Sequence, residues 1–228
     1  MTLTVFKNTH FLLVTFTILT CFCCKSQSEK KITATEEIET EAIVKEIVLG
    51  ASQVEEYLPL LKNKKIGIVA NQTSVLYLKN EKLDKNSIQK KIEIRLHLVD
   101  YLYNKKINIQ HVFAPEHGFR GKADAGELIK DGVDTKTGLS IISLYGENKK
   151  PSIQQLEGIE IMIFDIQDVG ARFYTYISTL HYMMEACAEL NIPLLILDRP
   201  NPNGHYIDGP ILEKQHKSFV GMHPVPVI

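Results

Sequence analysis

Four clusters of acidic, amide and guanidinium side chains each follow directly on a short apolar run of this sequence. Their chemically capable residues are Asn71; then Glu116, His117 and Arg120; then Asp165, Gln167, Asp168, Arg172 and Tyr174; and last Asp198, Arg199 and Asn201. Paired carboxylates are the usual groups for glycoside cleavage, where one protonates the leaving oxygen and another acts as base, nucleophile or orienting group. Amides and guanidinium groups can bind hydroxyls and an acidic substituent. The same carboxylates could instead hold a hard cation such as Mg²⁺.

Other reaction types lack their characteristic residues in this sequence. It contains neither a glycine-rich phosphate loop nor a serine in a nucleophile elbow, so we predict no nucleotide cofactor and no Ser-His-Asp hydrolysis. We assign no metal ligand. A purely structural alternative is that the polar residues cap the helices that follow them. That alternative accounts poorly for Glu116, His117 and Arg172, although His117 alone could be a loop histidine bonded to backbone.

The four apolar runs predict the elements that position these clusters: residues 66–70, 109–114, 159–164 and 194–197. Each run has strand length and is nearly continuous, which is typical of strands buried on both faces of a parallel sheet. Helical spacing precedes the second run at Leu96, Val99, Leu102 and Tyr103, and the fourth at Ile177, Leu180, Met184, Cys187 and Asn191. Residues 121–145 carry turn signals and predict a small hairpin. The predicted fold is an α/β open, mostly parallel sheet with helices on both faces, and its carboxyl edge should bring the clusters together.

The first 46 residues read as an export signal followed by a tether. Lys7 precedes an apolar stretch, Phe11 to Phe22, which suits a signal peptide over residues 1–24. Cys21 or Cys24 could accept a lipid, as in bacterial lipoproteins, and an ordinary cleaved signal is the alternative. Residues 25–46 hold four Lys and six Glu with few residues able to pack, so they predict a flexible tether. We therefore expect an exported, periplasmic or membrane-anchored protein that touches the membrane only through a lipid.

The remaining segment, residues 47–228, has the composition of one globular domain. The whole chain has 26 basic and 27 acidic residues, and without the leader and tether 21 of each sign remain. This segment therefore lacks the excess of positive charge that is typical of nucleic-acid-binding proteins. Cys187 is the only cysteine of this segment, so it has no disulfide partner there and is predicted to be a small core residue.

Five strings of this segment, in order, carry a family resemblance: residues 113–121, 137–146, 164–176, 197–204 and 208–210. They include Phe-Ala-Pro-Glu-His-Gly-Phe-Arg-Gly and Leu-Asp-Arg-Pro-Asn-Pro-Asn-Gly. The sequence from about residue 48 onward resembles the NamZ-type exo-β-N-acetylmuramidases, formerly a bacterial family of unknown function. The resemblance implies a Rossmann-like domain joined to a second, C-terminal domain, with the active site in the cleft between them.

The resemblance also implies a substrate, namely peptidoglycan-derived muropeptides or disaccharides that lose N-acetylmuramic acid from the non-reducing end. Chemistry then suggests Glu116 as general acid, and Asp165 or Asp168 as base or as the group that orients the substrate's acetamido group. Family members continue past the segment present here, so we expect weak or no turnover from residues 1–228 alone.

The binding roles follow from the same chemistry. Arg120, Arg172 or Arg199 could pair with the lactyl carboxylate, while Asn71, Gln167, Tyr174 and Asn201 could hydrogen-bond the sugar. His117 joins the catalytic candidates and Asp198 the binding candidates. Two alternatives stay open: a sugar-binding domain without catalysis, and a metal-dependent hydrolase using Asp165, Asp168 and His117. The stereochemical course also stays open.

Overall fold

A computed structural model of the chain describes residues 47–79, 93–121 and 130–228. These residues belong to one compact unit, Lys45–Ile228. The predicted export signal, both candidate lipid acceptors and the tether lie outside the described residues and stay predictions. Within the described ranges, no helix is long and apolar enough to cross a membrane.

The described elements are three helices, eight strands and three short 3-10 turns. The helices are α1 (Val54–Leu61), α2 (Leu98–Asn104) and α3 (Tyr176–Glu189). The strands are β1 (Lys65–Ala70), β2 (Val75–Lys79), β3 (Glu93–His97), β4 (Asn108–Ala114), β5 (Gly132–Val133), β6 (Ser140–Ser143), β7 (Ile161–Asp165) and β8 (Leu194–Ile196). The 3-10 turns are Gly50–Ser52, Gln154–Leu156 and Lys214–His216.

The main sheet has six strands in the order β5-β6-β4-β1-β7-β8, and every neighbouring pair except β5 with β6 is parallel. Side chains alternate along β1, so that Ile66, Ile68 and Ala70 join one core cluster and Val69 joins the other. Helices α1 and α2 cover the first face, and α3 covers the second. The predicted fold class is confirmed, since strands buried on both faces produce the continuous apolar runs.

The predicted hairpin is only part of what the described residues 130–145 form. Strands β5 and β6 do pair antiparallel, but β6 also pairs in parallel with β4 and extends the main sheet. Its sequence, Ser-Ile-Ile-Ser, is too short and too polar to stand out as a buried strand. A second difference is the antiparallel pair β2–β3, which includes Leu96, a residue that the helical spacing placed on a helix.

Helix α3 lies where the spacing predicts it, but its buried face differs from the predicted stripe. Met183 and Cys187 are buried, whereas Ile177 is 38% exposed and Met184 is 51% exposed. Cys187 is a core thiol as expected, and burial raises its pKa to about 11.

Candidate active site

The carboxyl edge of the sheet contains a topological switch point between β1 and β7. The chain leaves β1 toward β4 on one side and leaves β7 toward β8 on the other. At such a point the loops diverge and open a crevice in which ligands of open α/β sheets bind. Asn71 directly follows β1, and Asp165 is the last residue of β7. The structure therefore places the four polar clusters along one edge, with two of them beside the crevice.

Glu116 lies in a tight turn that begins directly after β4. The Gly118 amide donates to the Pro115 carbonyl at 3.0 Å, and His117 has a φ of 69°, in the left-handed region that non-glycine residues seldom adopt. Residues are held in such conformations only where the surrounding structure imposes them, often at functional sites. The turn directs Glu116 toward the start of α3, where Thr175 Oγ1 donates to Glu116 Oε2 at 2.8 Å.

Two tyrosines and a threonine interact with Glu116. Burial, followed by hydrogen bonding to Glu116, raises the pKa of the Tyr145 hydroxyl. Burial also raises the pKa of Tyr176, which is 6% exposed, and the carboxylates of Glu116 and Asp168 add to that rise. Tyr176 also lines a cavity together with Asp168. The sequence interpretation missed Thr175, Tyr145 and Tyr176, although all three stand in the strings that carry the family resemblance.

Asp168 has one oxygen fixed and the other without a partner. Its Oδ1 accepts the Gly170 amide at 2.8 Å, whereas Oδ2 is buried and meets no hydrogen-bond donor among the described residues. Asp168 lines a cavity of about 230 Å³ whose walls include Tyr176 and Ile177. A buried acceptor without a donor is costly in a protein interior. This oxygen therefore suits a donor supplied by a bound molecule.

Asp165 does not have the surroundings of a catalytic base. Its side chain is fully buried, and Arg199 binds both oxygens, with Nε to Oδ1 at 2.6 Å and a terminal nitrogen to Oδ2 at 3.0 Å. The same Arg199 nitrogen also donates to the Val75 carbonyl at 2.9 Å. Burial raises the pKa of Asp165, and the Arg199 guanidinium opposes that effect. This ion pair argues against Asp165 as a base and leaves the Arg199 guanidinium less available to a ligand, although Arg199 also lines the 230 Å³ cavity with Asp168.

Arg120 is likewise committed inside the protein. Its guanidinium donates to Asp134 Oδ2 at 2.7 Å and to Asp100 Oδ1 at 2.9 Å, and Lys136 also binds Asp100. The ring of Phe119 lies 4.2 Å from the guanidinium carbon. Arg120 thus joins α2 to the loop after β5, and these ion pairs leave its guanidinium little capacity to bind the lactyl carboxylate.

This Arg120 cluster predicts an acid-labile contribution to stability. Burial acts to raise the pKa of Asp134, but hydrogen bonds from Arg120 and Thr137 outweigh it and lower that pKa to about 2. A depressed carboxyl pKa stabilises the fold above the unfolded pKa of about 4, and the gain is lost as pH falls toward 2. In urea unfolding, the wild type should lose about 2 kcal/mol across this window through Asp134. Asp134→Asn should lose less over the same range, and an equal loss in both proteins would contradict the assignment.

Arg172 and Gln167 tie neighbouring loops together. Arg172 donates to the carbonyls of Pro210, at 2.8 Å, and Val225, and no carboxylate pairs with it among the described residues. Of the three candidate arginines it is the one whose charge these ranges leave uncompensated, so its predicted role in binding an acidic group stays open. The Gln167 side-chain nitrogen donates to the Asp168 carbonyl at 2.8 Å and the Pro200 carbonyl at 2.9 Å.

The other binding candidates differ widely in exposure. Asn71 is fully buried, and its Oδ1 accepts from the backbone and hydroxyl of Thr73. Among the described residues its Nδ2 meets no acceptor in good hydrogen-bond geometry, although the Asn71 amide acts to lower the pKa of Tyr176. Tyr174 is 40% exposed and lies 5.4 Å from the Phe173 ring, centroid to centroid. Asp198 and Asn201 line the 230 Å³ cavity with Asp168. The geometry leaves all four able to contact a sugar, although the burial of Asn71 leaves only its Nδ2 for that purpose.

The described residues give the metal-dependent alternative little support. Across these ranges, no three His, Cys, Asp or Glu side chains come together as a metal-binding group. Asp165, one of the three ligands in that alternative, is bound on both oxygens by Arg199.

Comparisons with known proteins agree with the architecture. The family model described as "Exo-beta-N-acetylmuramidase NamZ, N-terminal" matches residues 66–228. Over 174 residues the chain is 45% identical to the peptidoglycan beta-N-acetylmuramidase NamZ of Bacillus subtilis (strain 168), covering 75% of this chain and 38% of the relative.

Two crystal structures of DUF1343 family proteins from Bacteroides fragilis NCTC 9343 are also similar. One is 43% identical with a TM-score of 0.62, covering 80% of this chain and 43% of that chain. The other is 34% identical with a TM-score of 0.62, covering 79% and 42%. The chain thus spans less than half the length of the relatives it matches. It belongs to the exo-β-N-acetylmuramidase NamZ family and carries the family's N-terminal region.

Proposed function

We propose that this chain provides the acid-base half of a glycosidase that releases N-acetylmuramic acid from the non-reducing end of peptidoglycan fragments. The observation that carries the proposal is that Glu116 is hydrogen-bonded to Thr175 at the start of α3, while Asp168 lines a cavity with the adjacent Tyr176. The B. subtilis relative bears the name of a peptidoglycan β-N-acetylmuramidase, which supports the choice of substrate. Turnover and recycling of the cell wall is the process that such a reaction would serve.

Glu116 is the proposed general acid. Thr175 Oγ1 donates to its Oε2 at 2.8 Å, so the carboxyl group is held in one orientation at the start of α3. From there it gives a proton to the glycosidic oxygen as the bond to the anomeric carbon breaks, and water finally supplies the hydroxyl to that carbon. Because the acid is already oriented, less entropy is lost in reaching the reactive geometry, which lowers the activation barrier.

Asp168 is the proposed second carboxylate. Its Oδ1 is fixed by the Gly170 amide, and its Oδ2 has no partner among the described residues. That oxygen can take a proton from the attacking water. If the acetamido oxygen of the sugar serves instead as internal nucleophile, the same Asp168 oxygen can accept a hydrogen bond from the acetamido N–H. Arg172, whose charge has no carboxylate partner in the described ranges, is the proposed contact for the lactyl carboxylate.

The direct test compares this chain with a fusion protein, defined as residues 1–228 followed by the C-terminal part of the B. subtilis relative. Both are incubated with a chromogenic N-acetylmuramide, with and without chelator. We expect the fusion to release the chromophore with chelator present and the chain alone to release much less. Saturable binding without release would favour a sugar-binding domain, and loss of release with chelator would favour a metal enzyme. Either result would overturn the proposal.

Thr175 provides a narrower prediction. Thr175→Val keeps the side-chain shape but removes the hydroxyl that orients Glu116, and a hydrogen bond to a charged group contributes about 1.5–3 kcal/mol. We expect the fusion carrying this change to lose about 10- to 100-fold in kcat with a small change in KM. Thr175→Ser keeps a hydroxyl and should retain most of the rate. Equal rates for the Val and Ser variants would show that this hydroxyl does not orient the acid.

A further inference from the structure

The outer side of α3 carries apolar residues that the described chain leaves exposed. Ile177, Leu180 and Met184 share one face of the helix, since they are spaced by three, four and seven positions. This spacing is typical of a helix face that packs against a partner. Yet Ile177 is 38% exposed and Met184 is 51% exposed. Leu180, between them, is partly buried against the core, so the described residues cover this face of the helix only in part.

Strand β8 continues this exposed region as an open edge of the sheet. The Met162 amide donates to the Pro193 carbonyl and the Leu197 amide to the Phe164 carbonyl, which fixes the side of β8 that faces β7. In a parallel pair, every second residue of a strand directs its N–H and C=O groups away from the neighbouring strand. Leu194 and Ile196 therefore direct theirs to the open side, where no described backbone group pairs with them, and Ile196 is 45% exposed. An open edge of this kind is a template for an added strand.

A cavity connects the two features to the candidate active site. Its volume is about 230 Å³, and Ile177, Leu180 and Ile196 line it together with Asp168. A neighbouring cavity of about 190 Å³ is lined by Ile177, Asp168 and the segment 225–228. A polypeptide on this face would therefore also close one side of the crevice at Asp168.

The relatives indicate which polypeptide that is. The matched region is described as N-terminal in the family and covers 38% of the B. subtilis relative and 43% of one B. fragilis chain. More than half of each relative thus lies outside the matched region, and segment 225–228 lines a cavity together with Ile177. We propose that the α3–β8 surface, defined as Ile177, Leu180, Met184 and the open edge of β8, is where the C-terminal part of the family protein docks by adding a strand to β8.

Amide hydrogen exchange tests this docking independently of catalysis, because it needs no substrate and no turnover. The amides of Leu194 and Ile196 point to the open edge, so they should exchange at least about tenfold more slowly in the fusion protein than in the 228-residue chain. Ile68, fully buried in the central strand, reports in every sample that the domain is folded. Equal exchange of Leu194 and Ile196 in the two proteins would overturn the proposal. So would slow exchange in the chain alone, because another occupant would then cover the edge.

Three variants of the fusion locate the contact. Ile196→Pro removes an amide that does not bond to β7, so β8 stays paired while the added strand loses a donor. Ile177→Asp places a charge on the helix part of the surface. Both should return Leu194 to the exchange rate of the 228-residue chain. Val133→Asp, at the opposite edge strand β5 and 64% exposed, is the matched control and should leave the protection intact. Loss of protection in this control, or its retention in both test variants, would contradict the assignment.

Discussion

Glu116→Gln in the fusion protein is expected to lower the release of N-acetylmuramic acid by about 10²–10⁴-fold, the contribution typical of a general acid. The glutamine amide oxygen can still accept from Thr175 Oγ1, which lies 2.8 Å from the native carboxylate, so the turn and the start of α3 should keep their geometry. The side chain would have no acidic proton to give to the glycosidic oxygen. Substrate affinity should therefore change little while kcat falls.

The matched control is Glu157→Gln, a change of the same chemistry at an exposed residue that follows the Gln154–Leu156 turn. Its kcat should equal that of the wild type. Substrates with a more acidic leaving group need less protonation, so the Glu116→Gln deficit should shrink with them. If Glu116→Gln keeps most of the wild-type rate on a disaccharide, another group is the acid.

Arg199→Leu is expected to reduce the free energy of unfolding by about 3–5 kcal/mol at pH 7, the cost typical of leaving a buried charge without its partner. Asp165 is fully buried, and the Arg199 side chain is 4% exposed, so water cannot replace the lost guanidinium. Burial raises the pKa of Asp165. Without Arg199 the carboxyl can escape the penalty by binding a proton, so the destabilisation should be smaller near pH 4 than at pH 7. Urea unfolding at the two pH values measures both effects.

The double variant Asp165→Leu, Arg199→Leu separates an internal ion pair from a substrate contact. Replacing both partners removes the unpaired charge, so the double variant should recover much of the stability lost in Arg199→Leu. If Arg199 instead bound the lactyl carboxylate, Arg199→Leu would weaken binding of N-acetylmuramic acid and leave unfolding nearly unchanged. That pattern would show that Arg199 serves the substrate and not the fold.

The strands near the sheet centre were predictable because each is covered on both faces. Burial on both faces requires apolar side chains at consecutive positions, and this leaves a run that a local window detects, as in β1, β4 and β7. Strand β6 was not predictable in the same way. Only Ile141 and Ile142 are apolar in it, and its parallel partner β4 lies far back in the sequence.

For the candidate site, the sequence by itself determined that the polar clusters follow the strands and so share the carboxyl edge of the sheet. Only the tertiary structure decided which charged groups pair with each other. Asp165 and Arg199 stand 34 positions apart, and Arg120 meets Asp134 across 14 positions. Whether an ionised side chain is available to a ligand depends on burial and on neighbours brought close by folding. Local sequence spacing predicts where in the fold a charged side chain lies. Which other charged side chains it pairs with is determined only when the chain packs.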